Sequence, residues 1–220
     1  MNPSCRVIIE EEKMRDKIGF DEWADKYDET VKETESASEY PFAGYKKVLG
    51  TIYEKINRYP LSSVFDVGFG TGVLASALYD TGHMIYGMDF SPKMAKKARE
   101  KMPEALLFQG DFHAGLPKAL KDVKFDFAVA TYSIHHLDDG DKVIFINEML
   151  SRLNENGVMY IGDVSFENRE KLEACRVRSG ENWDPGEFYI VYDEFKKYFP
   201  EGKTNFTALS SCAGVTEIFK

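Results

Sequence analysis

Apolar positions along this chain recur first at a three-to-four-residue spacing, then in short runs alternating with helical stretches, and last in two bare runs. Phe20, Trp23, Ala24, Tyr27 and Val31 share one helical face over residues 20–33, after a charged opening stretch that includes Glu10, Glu11 and Glu12. Phe42, Tyr45, Leu49, Ile52 and Ile56 repeat the period, so residues 40–58 are expected to form an amphipathic helix that Pro60 terminates. Strand-length apolar runs follow at 63–67, 84–88, 106–109, 125–130 and 158–162. Helical stretches at 73–79, 92–101, 116–120 (short) and 142–153 separate them. Ser91 before Pro92 matches an N-cap followed by proline at the first helical position, and Asn156-Gly157 marks a turn into the fifth strand. Runs at 205–209 and 215–219, with no helical period between them, are expected to pair antiparallel. The fold class expected is therefore α/β and doubly wound: a mostly parallel seven-stranded sheet with helices on both faces and a terminal antiparallel strand pair. Residues 1–60 would form a helical cap and 61–220 the ligand-binding domain, together one compact unit.

Composition narrows the partners. Lys and Arg number 28 against 37 Asp and Glu, a formal charge of −9 that repels a phosphate backbone. Lys93, Lys96, Lys97, Arg99 and Lys101 lie at helical spacing and suit a solvated helix face, so no nucleic-acid partner is expected. Cys5, Cys175 and Cys212 are widely separated and form no Cys-x-x-Cys or Cys/His cluster, so neither a zinc site nor a disulfide framework is expected, and no metal. The opening residues lack the apolar core of a secretory signal, and no run approaches the roughly eighteen apolar residues of a membrane span. The expectation is a cytoplasmic monomer or homodimer without a membrane partner.

The segment Asp66-Val67-Gly68-Phe69-Gly70-Thr71-Gly72 carries the chemistry: a strand runs into a glycine-rich turn and then a helix. Glycine lets backbone turn sharply and approach a ligand where a Cβ would collide. Open α/β sheets bind ligands at the carboxyl ends of their strands, near the point where strand order reverses. A dinucleotide fingerprint places its third glycine three residues after the second; here the interval is two, which disfavours a nicotinamide-dependent oxidoreductase.

This segment resembles motif I of the class I, Rossmann-like S-adenosylmethionine-dependent methyltransferases, most closely small bacterial members of unassigned substrate that act on small molecules. The resemblance implies S-adenosylmethionine as cofactor, with Asp66, Gly68, Gly70 and Gly72 shaping the turn around its methionine portion. It implies that Asp89, ending the second strand with Phe90 and Met94 after it, holds the ribose hydroxyls. A carboxylate suits a diol because it accepts two hydrogen bonds side by side. Gly110, Asp111 and Phe112 would surround the adenine, and Thr131 and Tyr132 the methionine portion. Trp23-Ala24-Asp25-Lys26-Tyr27-Asp28 is similar to the W-x-x-x-Y-D phrase of small-molecule members, which implies that Trp23 and Tyr27 close over the cofactor. His135 and His136 are the candidate catalytic residues; on sequence either one could act as a general base, or both could only shape and hydrogen-bond the loop.

Tyr40 and Tyr45 fit either an aromatic lid or plain helix packing, and Trp183, Phe188, Tyr189 and Tyr192 are candidates for an acceptor pocket. An Asn/Asp-Pro-Pro-aromatic loop, the mark of amino-directed nucleic-acid members, is replaced by Thr131-Tyr132-Ser133-Ile134. Transfer of a methyl group to a small-molecule acceptor is expected; a non-catalytic, regulatory binder of S-adenosylmethionine or S-adenosylhomocysteine is the alternative, since most residues assigned face cofactor.

Overall fold

Alternate residues of the central strands enter opposite cores, and that alternation sets the architecture. The computed structural model describes residues 40–220. The strands are β1 (Ser63–Val67), β2 (Met84–Asp89), β3 (Leu106–Gln109), β4 (Phe125–Thr131), β5 (Leu153–Phe166), β6 (Ile190–Val191), β7 (Thr204–Ala208) and β8 (Ala213–Phe219). The helices are α1 (Tyr45–Ile56), α2 (Val73–Asp80), α3 (Pro92–Lys101), α4 (Asp139–Ser151), α5 (Arg169–Ser179) and the single turn α6 (Tyr192–Phe195). Sheet order is β3-β2-β1-β4-β5-β8-β7, with β6 paired to the end of β5. β1 to β5 are parallel, whereas β8 runs antiparallel to both β5 and β7, as the tail pattern predicts.

Val64, Phe127 and Val158 meet α1, α2 and α3 on one face of the sheet. Phe65, Ala128 and Met159 meet α4 and the α6 region on the other. All five residues of β1 are buried, as a central strand requires. The chain lays β2 and β3 to one side of β1 and β4 and β5 to the other. Strand order therefore reverses between β1 and β4, and a crevice opens at their carboxyl ends.

Several boundaries differ from the sequence pattern. α1 begins at Tyr45 rather than residue 40 because Gly44, at φ 84°, stands in the left-handed region and the preceding residues form turns. α4 begins at Asp139, where the Asp138 side chain accepts from Asp141 N at 2.9 Å, and it ends before Leu153, which pairs with Phe125 in the sheet. Asn156-Gly157 lies within β5, at an irregularity where the register against β4 shifts, rather than at a turn before the strand. α5 and β6 are elements the pattern does not predict.

α1 packs on β5 and β8, so residues 45–56 belong to the main core. Its closest approach is at Gly162, where a Cβ would stand 2.4 Å from Val48 Cγ1 and 2.8 Å from Ile52 Cδ1. Gly162→Ala is expected to lower stability by about 1–3 kcal/mol through overpacking, read as a lower urea midpoint. An unchanged midpoint would mean that α1 stands off the sheet. Among the described residues no helix is long and apolar enough to cross a membrane.

Candidate active site

The turn after β1 is built by three left-handed glycines that do different work. Gly68 has φ 66°, and a Cβ there would lie 2.5 Å from Ser133 Cβ, so the turn presses directly on the loop after β4. Ser133 Oγ donates to Val67 O at 2.8 Å across the same contact. A Cβ on Gly72 would meet Met102 Cε at 2.8 Å, which makes that glycine a helix-packing position against the end of α3. Gly70, at φ 55°, has nothing within 4 Å of its Cβ position: it borders open space.

Asp89, at the end of β2, braces this turn. Its Oδ2 accepts from Gly70 N and its Oδ1 from Ser91 N, both at 2.8 Å. Ser91 in turn caps α3 by accepting from Met94 N at 3.2 Å. Asp66 lies behind the turn, 1% exposed, and its Oδ1 has no hydrogen-bond partner among the described residues. Burial, reinforced by the charge of Asp89, pushes its carboxyl up to about 8.

A cavity of about 320 Å³ opens over this turn. Gly68, Gly70, Asp89, Phe90, Met94, Phe112, Thr131, Tyr132, His135 and His136, all expected in the site, line it. Asp66, Gly72, Gly110 and Asp111 do not. Asp66 and Gly72 support the turn from behind or beside it, and a Cβ on Gly110 would meet Met88 Sδ at 2.9 Å, a packing constraint. Trp23, Tyr27 and most of the expected 1–60 cap lie outside the described residues. Tyr45 and Tyr40 both line the cavity, and Phe42, Tyr45 and Tyr132 pack ring against ring, with centroids 5.1–5.8 Å apart.

The far end of the cavity is polar. The short turn Ile134–His136 after β4 carries both histidines, whose ring centroids are 4.3 Å apart. His135 Nδ1 lies 2.8 Å from Asp163 Oδ1, at the end of β5, and Phe188 N donates to His135 O at 2.8 Å. On its other side, His135 Nε2 faces Glu187 Oε1 at 3.4 Å. Glu187 Oε2 accepts from the Tyr189 hydroxyl, which also meets the Tyr40 hydroxyl. Burial acts to lower the His135 pKa, but the charge and hydrogen bond of Asp163 and the charge of Glu187 outweigh it, and the imidazole is held above its ordinary value. Burial likewise holds the Glu187 carboxyl above its ordinary value, against the opposing pull of His135.

Asp163 and Glu187 are absent from the sequence expectation. Asp163 had a signal: an acid inside the apolar run Met159-Tyr160-Ile161-Gly162-Asp163-Val164, where a buried charge needs a partner. Glu187 had only its place after the Asp184-Pro185-Gly186 turn. Of the aromatic candidates, Trp183 and Tyr189 pack with Tyr40 behind Glu187, at ring distances of 5.0–6.0 Å. Phe188 contributes its backbone N–H while its ring is exposed. Tyr192, expected at an acceptor pocket, does not line the cavity; it stacks on Phe206 at 5.3 Å and donates to Thr204 O.

One end of the cavity thus offers bare backbone and a carboxylate, fit for a nucleoside amino acid: the open space at Gly70 would take main-chain-close ligand atoms. The other end offers an imidazole between two carboxylates, able to move a proton or to bind a cation.

Comparison with known proteins agrees. A family model described as a methyltransferase domain matches residues 64–157. An uncharacterized methyltransferase of Geobacillus sp. (strain WCH70) is 33% identical over 211 residues, covering 91% of this chain and 96% of the relative. Among solved structures, magnesium protoporphyrin IX methyltransferase of Synechocystis PCC 6803 with bound S-adenosylhomocysteine shares the fold, with a TM-score of 0.64 at 17% identity, covering 81% of this chain and 84% of that one. So does the partner of the Trm112 methyltransferase activator in a Haloferax volcanii complex, with a TM-score of 0.65 at 18% identity, covering 91% of this chain and 96% of that one. Identity at this level along nearly the whole chain, on this fold and glycine turn, shows the family: the chain belongs to the class I methyltransferases that use S-adenosylmethionine.

Proposed function

We propose that this methyltransferase acts on a small-molecule acceptor bound at the histidine end of the cavity. The observation that carries this reading is the charge of that end: Asp184 and Glu187 line it and Asp163 stands behind His135, in a chain of formal charge −9. Such a surface repels a nucleic-acid backbone.

S-adenosylmethionine supplies a methyl group on a sulfonium, a strong electrophile. The protein's residues bind, orient and exclude water, which is worth several kcal/mol. Asp89 accepts from the ribose hydroxyls while its backbone partners fix its orientation. Gly70 lets the methionine portion lie against main chain, on a turn kept in place by Gly68, Gly72 and Asp66. Phe90, Met94 and Phe112 flank the adenine, while Gly110 and Asp111 stand outside the cavity lining. Thr131 and Tyr132 border the methionine portion. His135 and His136 are the catalytic pair, placed to engage the acceptor.

Two measurements test this. Asp89→Ala is expected to weaken S-adenosylhomocysteine binding by about 1–3 kcal/mol, the worth of a charged hydrogen bond, in calorimetric titration of a variant shown by circular dichroism to be folded. Unchanged affinity would refute the ribose role. Methyl-labelled cofactor incubated with the protein and a whole-cell extract should then place label in the low-mass filtrate. Label confined to macromolecules would overturn the small-molecule acceptor, and no transfer at all would favour a non-catalytic binder.

A further inference from the structure

We propose that His135, His136 and Glu187 form a binding site for one divalent transition-metal ion of the zinc class, at the acceptor end of the cavity. One ligand atom from each of the three lies within 4.8 Å of the others. Two imidazoles and a carboxylate are a donor set that zinc takes in open sites, where a fourth position is left for water or substrate.

The pair at the heart of the site has ligand spacing rather than hydrogen-bond geometry. His135 Nε2 and Glu187 Oε1 are 3.4 Å apart. Two ligands at about 2.0–2.1 Å from a tetrahedral ion stand about 3.4 Å from each other. The second-sphere groups also fit. A carboxylate only accepts, so the Asp163 contact at 2.8 Å puts the imidazole proton on Nδ1 and turns the lone pair of Nε2 toward Glu187. With a neutral imidazole and an ionised Glu187, Nε2 and Oε1 are both acceptors, and the gap between them takes a cation, either a metal ion or a proton. An aspartate behind a histidine ligand is the arrangement that fixes ring orientation and tautomer in metal sites. Tyr189, bonded to Glu187 Oε2, does the same for the carboxylate and leaves Oε1 as the ligand atom.

Asp163 Oδ1 also accepts from Val164 N at 2.8 Å, while its Oδ2 is buried with no hydrogen-bond partner among the described residues. The side chains of His135 and Glu187 are 11% and 20% exposed, and His136 is exposed at the cavity mouth, giving an ion a path in.

The use of such an ion rests on the methyltransferase reading above; the site does not. An ion here would ligate an acceptor hydroxyl or thiol and lower its pKa, the released proton going to solvent. A proton on Nε2 is the competing occupant of the same gap, and it predicts no metal uptake.

The test uses tag-free full-length protein stripped with a chelator. Titration with Zn²⁺ alone and with Co²⁺ alone should show one ion per chain, Co²⁺ giving visible absorption of the intensity expected for four- or five-coordination. His136→Gln and Glu187→Gln should each weaken Zn²⁺ at least about a hundredfold, and Asp163→Asn about 10–100-fold. S-adenosylhomocysteine titration of the same proteins reports on cofactor binding and folding, and should be unchanged. Absence of uptake by the parent chain overturns the site, as does binding that survives His136→Gln and Glu187→Gln but disappears on alkylation of the cysteines. Failure of the parent chain to bind S-adenosylhomocysteine would sink the methyltransferase reading while leaving the metal result standing.

Discussion

Gly70→Val is expected to fold and to bind S-adenosylhomocysteine at least about a hundredfold more weakly, a loss of some 2.7 kcal/mol or more. The expectation follows from what surrounds each glycine. At Gly70 a new Cβ meets no atom within 4 Å and Gly70 lines the cavity, so a valine side chain is expected to enter the cavity and take space from the ligand. The φ of 55° costs a branched residue about 1–2 kcal/mol, tolerable against a typical stability of about 5–15 kcal/mol. Gly68→Ala provides the contrast. Its Cβ would stand 2.5 Å from Ser133 Cβ, where β1 and β4 loops are already in contact, so the damage falls on the fold before the ligand. Thermal melts together with calorimetric titration of both variants separate the two effects. Normal affinity in Gly70→Val would mean that the turn does not approach the cofactor, and the assignment of this end of the cavity would go with it.

The glycine-turn end of the cavity was legible in sequence because its parts are contiguous. Residues 66–72, 87–91, 110–112 and 131–137 each follow a parallel strand, and a doubly wound sheet brings all such loops to one edge. Knowing the strands was therefore enough to assemble them. Sequence could not separate wall from support within those loops. Gly68, Gly70 and Gly72 look alike in a string, yet only the packing of Ser133 and Met102 shows that two of them are constrained by protein and one by open space.

The polar, histidine end was far less legible. Its anchor, His135, depends on Asp163 from β5 and Glu187 from a loop some 50 residues downstream, and no local period links them. α5 was missed for a related reason: only Leu172 and Cys175 are buried, so no hydrophobic stripe announces the helix. Its N-cap, Asn168 accepting from Lys171 N at 3.1 Å, was the remaining signal. β5 extends well past its apolar run at both ends because partners on each side, β4, β8 and β6, supply ladder bonds that the strand's own composition does not reveal. The expectation of no metal rested on the absence of a Cys-x-x-Cys or Cys/His cluster, a criterion that does not weigh adjacent histidines together with a distant glutamate.

Asp66 gives the second large effect, on stability. In the folded, ligand-free chain its carboxyl titrates at about 8, raised from 3.8 by burial and then by the charge of Asp89. Between these values the folded state holds a proton that the unfolded state has released, so stability falls as pH rises through this window and is fully present below about pH 4. At about 1.4 kcal/mol per pH unit, the wild type is expected to lose several kcal/mol relative to Asp66→Asn between pH 4 and 8, with a plateau above. Burying an amide at position 66 carries its own cost, but that cost is the same at every pH and leaves the slope of the difference untouched. Adding Asp89→Asn should move the plateau to lower pH, because the repelling charge is gone. Urea unfolding of ligand-free wild type and variants at pH 5, 7 and 9 measures all three. Parallel stability profiles for wild type and Asp66→Asn would show that the carboxyl ionises normally in the folded chain. The floor beneath the glycine turn would then be charged at neutral pH, and the turn would be held by a different balance of forces from the one the buried, unpartnered Oδ1 implies.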